Sequence, residues 1–149
     1  YREIGPVRRL TERIRCRLAQ RPYEKIFAIR RIPGLSDPDC PEDLFFAVTG
    51  PAPQGLVGRC YSERIILYEE DFAQMAALYN LTPFQVSKTR DTRFCLCVPI
   101  FNANNRIVTV ISMDCIYSIK IPQHEEAMIA DMIAVFVQDL SKYFPKIYK

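Results

Sequence analysis

Hydrophobic residues alternate along two segments in the second half of the chain, on either side of a polar turn. The first segment spans residues 93–101, the second spans 107–115, and three asparagines lie in the turn between them. Alternate residues of a strand face opposite sides of a sheet. Both faces of the first strand are apolar, which predicts a β-hairpin over residues 93–117 that is covered on both sides.

The first 50 residues predict one helix and two short strands. Apolar residues recur at three- and four-residue spacing over residues 4–20, which is typical of an amphipathic helix. Pro22 ends this helix, because the residue before a proline disfavours helical geometry. Strands are predicted over residues 24–32 and 44–48, with a loop rich in proline and aspartate at 35–43 between them.

The middle of the chain predicts short elements. A short helix is expected over residues 54–61 and a brief strand over 64–68. Asp71 is a suitable N-cap for a helix that runs to about Tyr79. A loop or a short helical turn is expected over residues 81–92.

The end of the chain predicts one long amphipathic helix. Pro122 lies in its first turn, and Glu125 and Glu126 lie near its positive end. Its apolar residues recur at helical spacing and predict one stripe that packs against the sheet. The members of this stripe are Ile129, Met132, Ile133, Phe136, Leu140 and Tyr143, widened by Met128 and Val135.

This order of elements predicts an α+β fold with a mainly antiparallel sheet. Residues 1–149 are expected to form a single domain, because no linker or repeat divides them. Within it, residues 1–21 form a basic amphipathic N-terminal helix, which could continue from an upstream segment. We expect the two terminal helices to pack side by side on one face of the sheet, and residues 54–92 to cover the other face.

Composition is that of an ordinary globular domain, with 49% hydrophobic and 25% charged residues. Its six cysteines include no Cys-x-x-Cys pair, which indicates reduced thiols. No apolar run approaches the roughly 20 residues that span a bilayer, and no signal peptide is recognisable. These features predict a cytoplasmic location, either for a cytoplasmic protein or for the cytosolic part of a membrane protein.

Charge is unevenly distributed along the chain. Residues 1–21 carry seven arginines and two glutamates, a net charge of +5, and the remainder carries −2. This basic segment fits a solvated helix face, or a flank that follows an upstream transmembrane helix. Contact with nucleic acid is a third alternative, but it is not expected, because no helix-turn-helix, zinc-finger or aromatic RNA-binding motif accompanies the charge.

Several of these motifs together resemble a GAF domain, a small-molecule sensor module related to PAS domains. They are Gly55-Leu56-Val57-Gly58, the short strand at 65–67, the strands at 94–100 and 107–114, and the closing helix after Pro122. The resemblance covers nearly the whole chain. It implies a GAF-like central antiparallel β-sheet with the N- and C-terminal helices on one face, and a pocket covered by loops and helices on the other. It also implies that the terminal helices pair two subunits and pass signals to attached domains.

Cofactor chemistry known from this family finds little support in the residues. The signature of cyclic-nucleotide-binding GAF domains is absent, and the only histidine, His124, does not follow a cysteine as bilin attachment requires. A metal site is not expected either. Cys95 and Cys97 face the same way and supply two soft ligands, but further ligands would have to come from distant positions. Those positions are Cys40, Cys60 and Cys115. No cofactor and no metal ion are therefore predicted, although an unidentified small ligand remains compatible with the fold.

The first functional hypothesis is a non-enzymatic sensory or regulatory domain with a mostly apolar pocket. Arg93 would suit a carboxylate or phosphate, and Asp114 an amine or hydroxyl. Alternatively, Arg93 is the exposed first residue of a strand, and Asp114 fixes a turn. The candidate ligand-binding residues are Phe46, Cys60, Tyr61, Tyr79, Phe84, Arg93, Cys95, Cys97 and Asp114.

Two other hypotheses stay open. One is a thiol enzyme similar to the GAF-type reductases of free methionine-(R)-sulfoxide, although Cys60 follows Gly58 by two residues instead of preceding it. The other is a structural module that forms a homodimer through its terminal helices without any ligand. No catalytic residues are predicted, because a lone histidine at a helix start provides no triad. The predicted dimer-interface residues are Val7, Leu10, Ile14 and Leu18.

Overall fold

A computed structural model describes residues 2–19, 24–29 and 44–143 of the chain. The strands in these ranges are β1 (Arg2–Glu3), β2 (Ile26–Ala28), β3 (Phe45–Ala47), β4 (Leu67–Glu69), β5 (Phe94–Phe101) and β6 (Ile107–Cys115). The α-helices are α1 (Pro6–Leu18), α2 (Gly55–Glu63), α3 (Phe72–Met75), α4 (Pro83–Thr89) and α5 (Glu126–Tyr143). Some predictions lie outside the described residues: the helix end at Pro22, the segment 30–43, the tail at 145–149, and the side chains of Leu140 and Tyr143.

All strand pairs are antiparallel, in the order β3-β2-β1-β6-β5-β4. The sheet consists of two three-stranded halves that join where Arg2 pairs with Thr109. The predicted α+β class with an antiparallel sheet is therefore confirmed. Strand β1 was not predicted, because a two-residue strand leaves no periodic pattern in the sequence.

The predicted hairpin is present as β5 and β6, with β6 in the middle of the sheet and β5 beside the edge strand β4. Every residue from Phe94 to Ile100 is buried, so both faces of β5 are covered. In the turn, Oδ1 of the Asn102 side chain accepts hydrogen bonds from the backbone N–H groups of Asn104 and Arg106, at 3.0 and 2.9 Å. Asn105 adopts a left-handed conformation there with φ of 56°, which asparagine tolerates better than most residues.

Helix α5 covers one face of the hairpin. Ile133 is buried among Phe94, Leu96, Val98 and Ile100, with Ile129 and Val137 packed beside it. These three helix residues are four apart, so they lie on one side of the helix. The prediction that Met128, Met132, Val135 and Phe136 belong to the stripe that packs against the sheet is wrong, because all four are exposed. The apolar surface of α5 extends around the helix beyond the side that packs against the sheet.

Helices α2 and α3 cover the opposite face of the hairpin. Their apolar residues form one cluster with Cys95, Cys97 and Val110 of the central strands. Gly58 lets α2 approach β3, since a Cβ at this position would lie 2.9 Å from the Ala47 carbonyl oxygen. Gly55 begins the helix with φ of +66°, a conformation that favours glycine. The Gly-x-x-Gly element is thus explained by backbone geometry and close packing.

Helix α1 turns its apolar stripe away from the sheet. It begins at Pro6 and ends at Leu18, which is shorter than the predicted 4–20, and Cys16 is its only buried residue. At about 100° per residue, the stripe of Val7, Leu10, Ile14 and Leu18 lies roughly opposite Cys16. Polar contacts hold the inner side, where Glu3 pairs with Arg9 at 3.2 Å and with Lys25 at 3.3 Å. The apolar stripe therefore points outward.

Segment 71–89 contains less α-helix than predicted at its beginning and more than predicted at its end. The helix expected from Asp71 to Tyr79 is α-helical only from Phe72 to Met75 and then tightens to a 3₁₀ turn. In contrast, α4 is a regular helix in the predicted loop-or-turn region. Thr82 and Gln85 form a reciprocal capping box at its start. No helix among the described residues is long and apolar enough to cross a membrane.

Candidate functional site

A small cavity lies between the hairpin and α2, on the face of the sheet opposite α5. Its volume is about 20 Å³, which is room for about one water molecule. Apolar side chains form most of its wall, and polar groups of β6 and α4 approach one edge. The lining residues are Phe46, Gly55, Leu56, Val57, Phe72, Thr89, Thr92, Cys95, Ser112 and Asp114.

Strand register determines the polar edge of the cavity. Cys95 of β5 lies directly opposite Asp114 of β6, and Cys97 lies opposite Ser112. All four side chains consequently share one face of the sheet. The Ser112 hydroxyl donates to Asp114 Oδ1 at 2.7 Å, and the Cys95 Sγ lies 3.7 Å from Ser112 Oγ. This arrangement provides an acceptor and a hydroxyl beside a buried thiol.

Two buried thiols of the core cluster on this face, Cys60 and Cys95, are held in their protonated form. The Cys95 Sγ lies 3.9 Å from the Cys97 Sγ. This contact, together with burial and the nearby Asp114 carboxylate, raises the pKa of Cys95 well above its usual value. Burial, with Cys97 and Glu63 nearby, also raises the pKa of Cys60. Neither thiol is therefore a good nucleophile at neutral pH, because the thiolate is the reactive form.

We expect alkylation to report this protection directly. At pH 8, iodoacetamide should label Cys60 and Cys95 roughly tenfold or more slowly in the native protein than in urea. Half-buried Cys115 should be labelled first among the described cysteines. Quantitative peptide mass spectrometry measures all three rates. Because the folded-state pKa values are raised, the free energy of unfolding should also fall as the pH rises above about 9. Native labelling of Cys95 at the rate seen in urea would contradict this description.

Three of the nine predicted ligand-binding residues lie on the cavity wall. They are Phe46, Cys95 and Asp114. Four others belong to the core cluster or pack against it: Cys60, Tyr61, Tyr79 and Cys97. The remaining two, Phe84 and Arg93, are exposed. The structure therefore brings only these three of the predicted residues together at the cavity.

Each tyrosine of the predicted set has a partner outside the cavity. The Tyr79 hydroxyl donates to Glu69 Oε2 at 2.7 Å, and its ring stacks on Phe72. The Tyr61 hydroxyl lies 3.1 Å from Lys25 Nζ. Arg93 forms two hydrogen bonds with its backbone. Its carbonyl accepts from the Phe72 N–H at 2.7 Å, and its N–H donates to the Cys115 carbonyl at 2.8 Å. These contacts account for the three residues in structural terms.

Sequence reasoning missed most of the polar groups at the cavity. Ser112 precedes Asp114 by two residues on the same strand, so the period of two could have identified it. Thr89 and Thr92 gave no such signal. Thr89 ends α4 and Thr92 follows it. The sequence suggested this helix only as a loop or turn, and the position of both residues depends on how α4 packs.

Exposed apolar surfaces on α1 and α5 form a second candidate site. The side chains of Val7, Leu10, Ile14 and Leu18, which we call the α1 stripe, are between 51% and 81% exposed. On α5, Met128, Met132, Val135 and Phe136, which we call the α5 patch, are between 41% and 65% exposed. The α5 patch lines an open concave surface together with His124 and Asp131. Contiguous apolar patches of this kind mark interaction sites more often than single exposed residues do.

Metal-ligating residues do not cluster in the part of the chain that the structure describes, where no group of three or more could hold an ion. Comparison with known proteins adds no identification. No family model matches the chain, and no curated protein matches it in sequence. The geometry of the two candidate sites is therefore the basis of the functional proposal.

Proposed function

We propose that this chain is a non-catalytic regulatory domain of the GAF type that pairs with a second copy through its terminal helices. The observation that carries this proposal is the outward exposure of eight apolar side chains, on the α1 stripe and the α5 patch. Exposure of apolar surface to water is unfavourable, and burying two such surfaces against each other lowers the free energy. A two-fold dimer would bury both helices of each copy at once.

A contact between α1 and β3 supports this proposal. Phe46 faces the cavity, so its neighbour Phe45 faces the opposite side. The Arg8 guanidinium lies 3.9 Å above the Phe45 ring, on the side of the sheet that α5 also covers. This contact supports a GAF-like arrangement, in which the terminal helices lie on one face of the sheet. The α1 stripe and the α5 patch are then available to the same partner.

A small ligand in the cavity is the second candidate function. It is favoured by the approach of Thr92, Ser112 and Asp114 to an otherwise apolar wall. A volume of about 20 Å³ leaves room for about one water, so a larger ligand would require the cavity to widen. The thiol-reductase alternative is weaker, because Cys60 is fully buried and its raised pKa keeps it protonated.

Sedimentation velocity tests the proposal. The unmodified chain should sediment as a dimer at micromolar concentration. Leu10→Asp should raise the dissociation constant of the dimer by at least about tenfold, because it places a charge in an apolar interface. Ile65→Asp is the matched control. Ile65 is a similarly exposed aliphatic residue outside the terminal helices, so this variant should remain dimeric. Circular dichroism should show both variants folded.

Two outcomes would overturn the proposal. One is a chain that sediments as a monomer at every concentration tested. The other is a dimer that Leu10→Asp leaves intact while the Ile65→Asp control dissociates it, since the interface would then lie elsewhere.

A further inference from the structure

We infer that two copies of this chain pair crosswise, with α1 of each copy lying on α5 of the other. This inference rests on the proposed function and adds which helix meets which. It follows from the charges that accompany the two apolar surfaces. Dimerisation alone would also be satisfied by α1 against α1 or by α5 against α5.

Arginines flank the α1 stripe on both sides. The helix carries five arginines and one glutamate. At about 100° per residue, Arg13 and Arg17 lie along one edge of the stripe, and Arg8 and Arg15 along the other. Arg15 pairs with Glu12 of its own helix at 2.8 Å, and the Arg8 guanidinium lies over Phe45. A surface that covers the stripe still has to accommodate a net positive charge, because the arginines outnumber the glutamate.

The α5 patch has the opposite charge. Helix α5 carries three acidic residues and one lysine. Asp131 lies on the concave surface of the patch, and Asp139 is exposed two turns further along the helix. Arg17 and Asp131 form no ion pair with any residue that the structure describes. Their charges are thus available to a partner.

Charge complementarity favours the crosswise arrangement over the alternatives. Two copies of α1 placed together would bring ten arginines into one interface, and like charges in contact oppose association. Crosswise pairing brings the arginines of α1 to the carboxylates of α5, and two-fold symmetry repeats this contact. A negatively charged lipid surface would attract α1, but it would also meet the acidic α5 on the same side of the sheet.

Salt dependence gives the first test, because the arrangements predict opposite signs. For crosswise pairing, the dissociation constant of the unmodified dimer should increase several-fold between about 0.05 M and 0.5 M salt, since salt screens attraction. For pairing of α1 with α1, salt would screen repulsion and the dissociation constant would decrease. Sedimentation equilibrium at both salt concentrations measures the change.

Charge reversal gives the second test. Arg15→Glu with Arg17→Glu should weaken the dimer at least about tenfold at low salt, because both symmetric contacts become repulsive. Adding Asp131→Lys and Asp139→Lys to the same chain should restore the affinity to within a few-fold. Glu63→Lys with Asp91→Lys, exposed positions outside both helices, is the control set and should restore nothing.

Each outcome bears on a particular part of the argument. A monomeric unmodified chain would remove the proposed function and this inference together. A dimer that tightens with salt, or that the four-residue variant does not restore, would overturn crosswise pairing alone. A monomeric chain could instead sediment with vesicles of phosphatidylcholine and phosphatidylserine and lose this binding in Arg15→Glu with Arg17→Glu. This result would assign the α1 stripe to a lipid surface and would also overturn crosswise pairing.

Discussion

Replacing Ile133 with alanine is expected to lower the free energy of unfolding by about 3 kcal/mol. Ile133 is 7% exposed and packs among the four apolar residues of β5 that face α5. The substitution removes three carbons from this cluster and leaves a cavity that the sheet and helix only partly fill. Urea denaturation followed by circular dichroism measures the change, at concentrations low enough for the chain to be monomeric.

Met132→Ala is the matched control for this prediction. Met132 is the preceding residue on α5 but is 65% exposed, so its truncation should change the free energy of unfolding by less than about 0.5 kcal/mol. It should instead weaken the dimer, because Met132 belongs to the α5 patch. If Met132→Ala were as destabilising in the monomer as Ile133→Ala, α5 would be rotated from the position described.

Replacing Gln85 with leucine is expected to cost about 3 kcal/mol of stability. Gln85 is the one buried polar residue among those that the structure describes, at 3% exposure. Its amide nitrogen donates to the Phe45 carbonyl and to Gln54 Oε1, and its amide oxygen accepts from the Thr82 backbone at 2.7 Å. Leucine has a similar volume but leaves these partners without their hydrogen bonds, so α4 should also lose its capping box.

Exposed Gln123 provides the control for the Gln85 prediction. Gln123→Leu should change stability by less than about 0.5 kcal/mol. Hydrogen exchange would add spatial detail, because loss of the Gln85 contacts should release amides of α4 before those of β5. Equal stability of the two variants in urea denaturation would show that the buried amide network contributes little.

The hairpin shows how much the sequence alone could predict. Alternation in residues 93–101 and 107–115, with asparagines between them, gave β5, the turn and β6 nearly at their observed bounds. The same alternation placed Cys95 and Cys97 on one face of β5, and the register with β6 adds Asp114 to that face. Local spacing is sufficient here because a strand fixes the side on which each residue lies.

The terminal helices show where that reasoning ends. Spacing identified an apolar stripe on α1 and a wide one on α5, but it did not say which part of each meets the sheet. In the structure α1 presents Cys16 inward, and α5 presents Ile133 but not Met132. The predicted pocket shows the same limit. Three of its nine predicted residues lie at the cavity, and the packing of α2 and α4 decides the rest of the wall. The GAF resemblance is therefore a proposal.

By itself, the sequence determined the α+β class, the antiparallel hairpin and the amphipathic character of both terminal helices, because these depend on the spacing of neighbouring residues along the chain. Only the tertiary structure decided that the α1 stripe faces outward, that α5 retains an uncovered apolar patch, and that a buried amide holds α4. Each of these depends on contacts between residues distant in sequence, and on how much apolar surface the sheet has left to cover.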